Sequence, residues 1–425
     1  MTGGGSVKLN KTGLIALSAA AACLVSCGEN TAEIIAPSTK IYFSWWGKDV
    51  RNDYTISAIA EFEKQNPSTD VVPEYSEWTG FQKRMDVEMA FHNEADVMQI
   101  NYDWLNKYSP DGEGFYDLYE LSDSIALDNF TQEQLEYGVI NGKLNGIPTA
   151  LNAETFYYNK TIYDKYGLSL PKTWDDIFKA AEVMSKDGVF PLEINLKPMW
   201  LLTVAHTEQL TGRKILTDDG ELAYEAEDIA LMLEFYKSLI DNKVTKPIDE
   251  IEKNDFKSGS TAGVVYWISD AEYYCTPVIE NGYVVEVGEY PVMEDAKLYG
   301  WYAKPTSLYC IRKDTMDPKE AAKLVDFLLN SEEMAQAQGL EKGIPLSTSI
   351  LEVLESKDML KGIQFEANQK MTDNSSKLDC INSNLENSDL IDAFKAAFDE
   401  VYYNKADITA KSEELYDSFC EILAE

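Results

Sequence analysis

The sequence predicts an α/β fold, because strand-like and helix-like segments alternate along most of its length. Short apolar runs suited to strands are followed by amphipathic segments long enough for helices. The chain has 425 residues, of which 45% are apolar and 12% aromatic. Because a chain of this size and composition can bury more than one core, we expect two or three domains.

The alternation is clearest at the start of the body of the chain. It predicts strands at 40–44, 71–75 and 96–100 and helices at 54–65 and 81–90. Each predicted helix carries apolar residues on one face, as expected for a helix that packs on a sheet.

A tight turn is expected at Asn141-Gly142, because this pair adopts positive φ at little cost. The apolar run that begins near Pro148 is then predicted to be a strand. The turn is therefore expected to lead directly into this strand.

Two later helices have well-marked N-termini. Thr173 is spaced three residues before Asp176, as in a capping box. Asp317 followed by Pro318 predicts an N-cap and a first helical residue. The last third of the chain is predicted to be mostly helical and includes an amphipathic segment at 388–403.

Residues 1–26 are expected to be a signal peptide rather than part of the fold. Lys8 and Lys11 precede an apolar run at 14–25, which is too short to span a bilayer as a helix. The run ends in Leu-Val-Ser-Cys, with the cysteine at position 27. This pattern resembles a bacterial lipobox, in which the cysteine is acylated and becomes the first residue of the mature chain.

The alternative is an ordinary secretory signal with an unrelated cysteine. Lipidation of Cys27 is the favoured interpretation, with 27–38 as the lipidated cysteine and a flexible tether. We therefore expect an extracytoplasmic protein, held on the cell membrane of a bacterium through its lipid anchor only.

The net charge of −36 excludes several kinds of partner. Nucleic acids and anionic lipid surfaces recruit clusters of lysine and arginine, and none is evident here. His92 and His206 are the only histidines, which leaves little room for a multi-histidine metal site or a Ser-His-Asp triad. We expect no metal, no cofactor, no nucleic-acid partner and no catalytic residues.

Four cysteines remain beyond the signal region, and their spacing fits neither a zinc site nor a thioredoxin-like motif. The sequence is compatible with disulfide pairing of these cysteines and equally with buried free thiols. The four cysteines are Cys275, Cys310, Cys380 and Cys420.

Seven of the eight tryptophans fall outside a clear helix face. They are Trp45, Trp46, Trp78, Trp104, Trp200, Trp267 and Trp301, whereas Trp174 lies on an amphipathic face. Most of the seven follow predicted strands and have polar neighbours. Ligands in open α/β sheets bind beyond the carboxyl ends of strands. An aromatic ring beside a carboxylate suits a sugar, whose C–H face packs on the ring while its hydroxyls bond the carboxylate. The pattern favours a carbohydrate cleft over core packing.

Several short strings, taken together and in order, resemble the extracellular solute-binding proteins of family 1, the sugar-binding lipoproteins of ABC importers. The strings are Trp45-Trp46-Gly47 with Asp49 and Arg51, then 60–67, 96–99 with Trp104-Leu105, 142–148, 156–160, 171–176, 262–265 and 343–347. The resemblance extends over residues 39–425.

The resemblance implies a two-lobe periplasmic-binding-protein type II fold that closes on its ligand by hinge motion. Hinge crossings are expected near 148–155 and 301–311. The implied lobes are 39–149 plus 305–350 for lobe 1, and 150–304 plus 351–425, with the helical C-terminal region, for lobe 2.

The resemblance also implies a set of ligand contacts. They are Trp45, Asp49, Arg51, Glu77, Trp78, Asp103, Asn152, Trp200, Trp267, Asp270 and Trp301. A second set is Trp46, Tyr102, Trp104 and Tyr302. Glu154 occupies a position at which small residues are usual in the family. The resemblance is compatible with a contact to the ligand and with a place at the hinge.

The function implied is that of a binding protein that captures a sugar or oligosaccharide and delivers it to the transmembrane subunits of an ABC permease. An acidic sugar is also compatible with the sequence, because three basic residues are expected near the cleft: Lys48, Arg51 and Lys304. The alternatives are a receptor for a peptide, polyamine or anionic solute, and a lipid-anchored glycoside hydrolase, which would need only a pair of carboxylates.

Overall fold

The structure is a computed structural model that describes residues 39–217, 220–252 and 255–424. The predicted signal peptide, Cys27 and the predicted tether lie outside the described residues.

The first elements alternate as predicted from the sequence. They are β1 (Thr39–Trp46), α1 (Asp49–Gln65), β2 (Thr69–Ser76), α2 (Phe81–Ala90), β3 (Val97–Ile100), α3 (Tyr102–Tyr108), α4 (Gln132–Glu136), β4 (Val139–Ile140), β5 (Lys143–Leu144), β6 (Ile147–Asn159), α5 (Lys160–Lys165) and α6 (Trp174–Met184).

The rest of the chain is richer in helix. Its elements are α7 (Leu196–Thr211), α8 (Ala226–Asp241), α9 (Asp255–Ser258), β7 (Gly263–Trp267), α10 (Ala271–Glu280), β8 (Val285–Val287), β9 (Tyr302–Ile311), α11 (Pro318–Asn330), α12 (Glu332–Gln338), α13 (Thr348–Ser356), α14 (Ile363–Asp373), β10 (Asp379–Cys380), α15 (Ser388–Tyr402) and α16 (Ile408–Leu423). A 3-10 helix, Ser383–Glu386, precedes α15.

The central sheet is mixed, with strand order β2-β1-β3-β9-β6-β7. The strands β1, β2 and β3 are parallel to one another, whereas β9 is antiparallel to β3. The strand β6 is antiparallel to both β9 and β7. The short strands β8 and β10 pair with β6 and β9 respectively.

Two large apolar cores meet along β6 and β9. One contains β1, α1, the start of β6, the end of β9, and α11. The other contains the rest of β6, the start of β9, β7, α6 to α8, and the C-terminal helices. Because β6 and β9 contribute to both cores, these two strands connect them.

The pairing of β6 with β9 is interrupted where the strands pass from one core to the other. The register shifts between Pro148 and Ala150 and shifts back before Leu151. Thr149 and Thr306 have no pairing partner in the ladder, and their hydroxyl oxygens lie 3.1 Å apart. The Thr149 hydroxyl also donates to the Ser307 carbonyl oxygen at 3.2 Å. Side chains thus satisfy part of the hydrogen bonding that the ladder loses here.

Local sequence signals predicted several elements well. Thr173 and Asp176 form the reciprocal bonds of a capping box at the start of α6, which confirms that prediction. Asn141 and Gly142 both have positive φ, at 49° and 79°, in the turn between β4 and β5. The helix α11 begins at Pro318 as predicted, but the Asp317 side chain makes no capping bond.

The main difference lies in α1, which begins at Asp49 rather than at residue 54. Its apolar period starts only at Tyr54, so the polar first turn carries no periodic signal. Asp49 in that turn interacts favourably with the positive end of the helix dipole.

The four cysteines in the described residues are free thiols. Cys275 and Cys310 are buried, and Cys380 and Cys420 are exposed. Over residues 39–424, apart from the two short gaps, no helix is long and apolar enough to cross a membrane. The same residues contain no group of three His, Cys, Asp or Glu side chains suited to a metal ion.

Candidate functional site

The carboxyl ends of strands from both cores point toward the same stretch of β6 and β9. On one side β1, β2 and β3 end at Trp46, Ser76 and Ile100. On the other side β7 ends at Trp267, which pairs with Glu154 of β6. This is the position at which open α/β sheets bind ligands.

A group of three charged side chains lies at this position, and we call it the lysine–glutamate cluster: Lys197, Lys304 and Glu386. The Lys304 ammonium lies 2.5 Å from both carboxylate oxygens of Glu386. The Lys197 ammonium forms an ion pair with Oε1 of the same carboxylate. Although burial opposes it, the two lysines hold the pKa of Glu386 below its usual range. The single carboxylate of Glu386 is therefore the ion-pair partner of both lysines.

Trp267 provides an aromatic ring beside this cluster. The ammonium of Lys304 lies 4.5 Å from the ring centroid and that of Lys197 lies 5.5 Å from it. Both distances are within the range of cation–π attraction. The neighbouring turn is fixed by Asn152, whose side-chain oxygen accepts from the Ser269 backbone N–H at 3.2 Å and whose Nδ2 donates to the Ser269 hydroxyl at 3.1 Å.

Glu154 is a buried carboxyl group without a hydrogen-bond partner for either oxygen. Burial raises its pKa to about 8, and Glu386 adds to this, while Lys197 and Lys304 oppose it. Near neutral pH this carboxyl is mostly protonated, so it does not neutralise either lysine.

Asp103 of α3 approaches the cluster from the other core. Burial and the negative charge of Glu386 raise its pKa, whereas the two lysines lower it. The neighbouring residue Tyr102 contacts Cys380 of β10, with 2.6 Å between its hydroxyl oxygen and Sγ. The two cores therefore approach each other across the site in this conformation.

A group of stacked aromatic rings adjoins Asp103. Trp78 is 49% exposed and stacks on Trp104, with 5.3 Å between ring centroids and 14° between planes. Trp104 stacks in turn on Phe81. Trp46 packs edge-on against Trp78, with 5.1 Å between centroids. Trp78 is therefore an exposed ring on a rigid aromatic base, as needed for packing against a sugar ring.

Asp270 follows Ser269 in the turn after β7, and Glu77 precedes Trp78 in sequence. Burial raises the pKa of Asp270, while a hydrogen bond from the Ser269 hydroxyl opposes it. Glu77 and Asp49 are both exposed. Arg51 is not free, because its guanidinium makes a two-point contact with Glu341 at 2.9 and 3.0 Å.

Four of the predicted tryptophans lie inside the cores. Trp267 is only 9% exposed, and the structure gives the other three a packing role. Trp45 is fully buried and its indole N–H donates to the Asn52 side chain at 3.0 Å. Trp200 is fully buried and donates to the Leu385 carbonyl at 2.9 Å. Trp301 donates to the Pro291 carbonyl at 3.0 Å and stacks on Trp174. An indole whose N–H is satisfied inside a core offers a ligand neither a face nor a donor.

Tyr302, from the second predicted set, also faces inward. Its hydroxyl donates to Oε1 of Glu208 at 2.6 Å. Glu208 is fully buried, and burial raises its pKa to about 7.

Sequence reasoning missed Lys197 and Glu386. Lys197 is the second residue of α7 and is followed by a long apolar run, so it has the appearance of an ordinary helix start. Glu386 lies in a polar segment with no motif around it. The pairing joins residues far apart in sequence, and no local signal could have identified it.

Comparison with known proteins gives a consistent result. A family model described as bacterial extracellular solute-binding protein matches residues 57–367. Among curated proteins, the maltooligosaccharide ABC transporter solute-binding lipoprotein of Streptococcus pneumoniae is 22% identical, over 79% of this chain and 80% of that protein.

Two solved structures are similar in both sequence and fold. A periplasmic oligogalacturonide-binding protein from Yersinia enterocolitica, in complex with saturated digalacturonic acid, is 29% identical with a TM-score of 0.76, covering 91% of this chain and 99% of that one. A de novo designed cysteine esterase is 30% identical with a TM-score of 0.84, covering 91% and 98%. The esterase activity belongs to that designed protein.

These likenesses confirm the predicted α/β periplasmic-binding-protein fold. The family model covers well over half of the chain, and proteins of this family bind solutes outside the cytoplasm and are in general not enzymes. The chain belongs to the bacterial extracellular solute-binding protein family.

Proposed function

We propose that this protein captures a sugar or oligosaccharide between two lobes and delivers it to the permease of an ABC importer. The observation that carries the proposal is the exposed ring of Trp78 on its aromatic stack, together with the lysine–glutamate cluster where the strand ends converge. Rings bind the apolar faces of sugars, and charged groups bind their hydroxyls.

The lobe arrangement is part of the same proposal. Lobe 1 would be 39–149 plus 305–350, and lobe 2 would be 150–304 plus 351–425. The interrupted pairing at Thr149 and Thr306 supports a hinge there, because two strands with unpaired residues at one level can bend more readily than a continuous ladder.

The relatives support a saccharide over other solutes. The S. pneumoniae relative is a maltooligosaccharide-binding lipoprotein, and the Y. enterocolitica protein is in complex with saturated digalacturonic acid. Lipidation at Cys27 and anchoring to the outer face of the cell membrane complete the proposal, on the basis of the lipobox-like sequence alone.

Binding can be measured by isothermal titration of the purified full-length protein against maltooligosaccharides and oligogalacturonides. A bound ligand also raises the unfolding temperature, because it stabilises the native state alone. The Trp78→Ala variant should bind more weakly, whereas Tyr273→Ala, which removes another exposed aromatic ring, should not.

Peptides and polyamines belong in the same screen. A response to these and to no saccharide would replace the sugar proposal by that of a receptor for another solute. Cleavage of a labelled oligosaccharide during the incubation would contradict the proposal that the protein only binds.

A further inference from the structure

The lysine–glutamate cluster has more positive than negative charge in direct contact. Lys197 and Lys304 share the carboxylate of Glu386 as their ion-pair partner in the described part of the chain. Buried or half-buried charges are stable only when they are paired. One of the two ammonium groups therefore lacks a carboxylate of its own.

Neither of the two other acids near the cluster supplies that carboxylate. Burial raises the pKa of Glu154 to about 8, so its carboxyl carries a proton near neutral pH. Asp103 influences both lysines through space but forms no ion pair with either in the described residues. The buried Glu154 oxygens have no hydrogen-bond partner among the described residues.

Lys197 is the lysine better able to turn toward a ligand. Its side chain is 36% exposed, against 16% for Lys304. Lys304 reaches both oxygens, so Glu386 stays paired if Lys197 leaves.

The helix that carries Lys197 also favours an anion at this position. Lys197 lies in the first turn of the 16-residue helix α7, which has no acidic residue in that turn and no side-chain cap from Asn195. The positive end of the helix dipole is therefore not neutralised locally. The buried Trp267 ring lies 5.5 Å from the Lys197 ammonium and holds that cation beside the helix start.

We propose that the solute is an acidic saccharide and that its carboxylate binds the Lys197 ammonium. The inference rests on the proposed function and adds the class of sugar and the residue that selects it. A uronate supplies the required group, because its carboxylate is attached directly to the sugar ring.

The test compares matched saccharides that differ only in the oxidation of the primary alcohol. Suitable pairs are galactobiose and digalacturonic acid, mannobiose and dimannuronic acid, and cellobiose and diglucuronic acid. Isothermal titration uses the full-length protein near neutral pH. We expect one acidic member to bind about tenfold or more tightly than its neutral partner.

Three variants locate the effect. Lys197→Gln should remove the preference for the acidic member. Lys197→Arg keeps the positive charge and should retain the preference. Lys246→Gln is the matched control, because Lys246 also pairs with a buried carboxylate, that of Asp255, and lies 5.9 Å from the ring of Phe190. It should keep the preference. A thermal unfolding curve for each variant confirms that it is folded.

Tighter or equal binding of a neutral member would overturn the inference and leave the proposed function standing. An acid preference that survives in Lys197→Gln would overturn the role of Lys197. Failure of every saccharide in the panel to bind would contradict both the inference and the proposed function.

Discussion

Replacing Glu154 with glutamine should make the protein less sensitive to alkaline pH. Glu154 is buried and unpartnered, and burial raises the pKa of its carboxyl to about 8 from the usual 4.5. Between pH 4.5 and pH 8, the Glu154 carboxyl is ionised in the unfolded chain but keeps its proton in the native protein. The native state therefore loses stability as pH rises from 4.5 toward 8, and the loss is complete above 8.

The size of the effect follows from the two pKa values. At 1.36 kcal/mol per pH unit, the interval from 4.5 to 8 corresponds to about 5 kcal/mol as an upper bound. Glutamine has nearly the same shape and cannot ionise. The variant should therefore gain stability over the wild-type protein at alkaline pH and show little of this gain in acid.

The measurement is urea unfolding of both proteins at about pH 5 and about pH 9, followed by circular dichroism. Other groups titrate in this range, among them Glu208 and Lys342, whose pKa values burial moves to about 7. They are present in both proteins and cancel in the difference. A difference in unfolding free energy that is the same at both pH values would refute the reasoning.

Three further predictions concern side chains with different roles. Trp78→Ala should weaken saccharide binding by about 1 kcal/mol or more and barely change the urea midpoint, because the ring is half exposed; unchanged affinity in a titration would contradict its role as a platform. Trp200→Ala should cost about 3–5 kcal/mol of unfolding free energy, since this ring fills a core between Phe394 and Phe419, and a wild-type midpoint would show that the ring is not a core residue. Thr173→Ala should cost about 1 kcal/mol by loss of the capping box, and a Thr173→Ser variant that retains the cap should lie closer to wild type in the same urea assay.

Local signals in the sequence predicted the elements of the fold better than their contacts. The capping box at Thr173 and the turn at Asn141-Gly142 depend on residues within a few positions of one another, so the sequence alone identifies them. The start of α1 was missed because the polar first turn of a helix carries no apolar period.

The candidate site was harder to predict, because it depends on which face of a strand each residue occupies. Adjacent residues of a strand point to opposite faces, so Trp45 and Trp46 pack against different cores and only one of them is fully buried. The sequence does not say which, and Trp45 proved to be the buried one. The contact of Lys304 with Glu386 joins residues 82 positions apart, which only the tertiary fold brings together.

The interrupted pairing between β6 and β9 also limits where residues can be inserted into this chain or deleted from it. The two register shifts cancel, so Asn152 and Lys304 resume the same alignment as Pro148 and Leu308. An insertion or deletion of one residue in either strand would break this compensation and turn Glu154 and its neighbours to the opposite face of the sheet. Sequence length should therefore vary in the connecting loops and stay constant in these two strands.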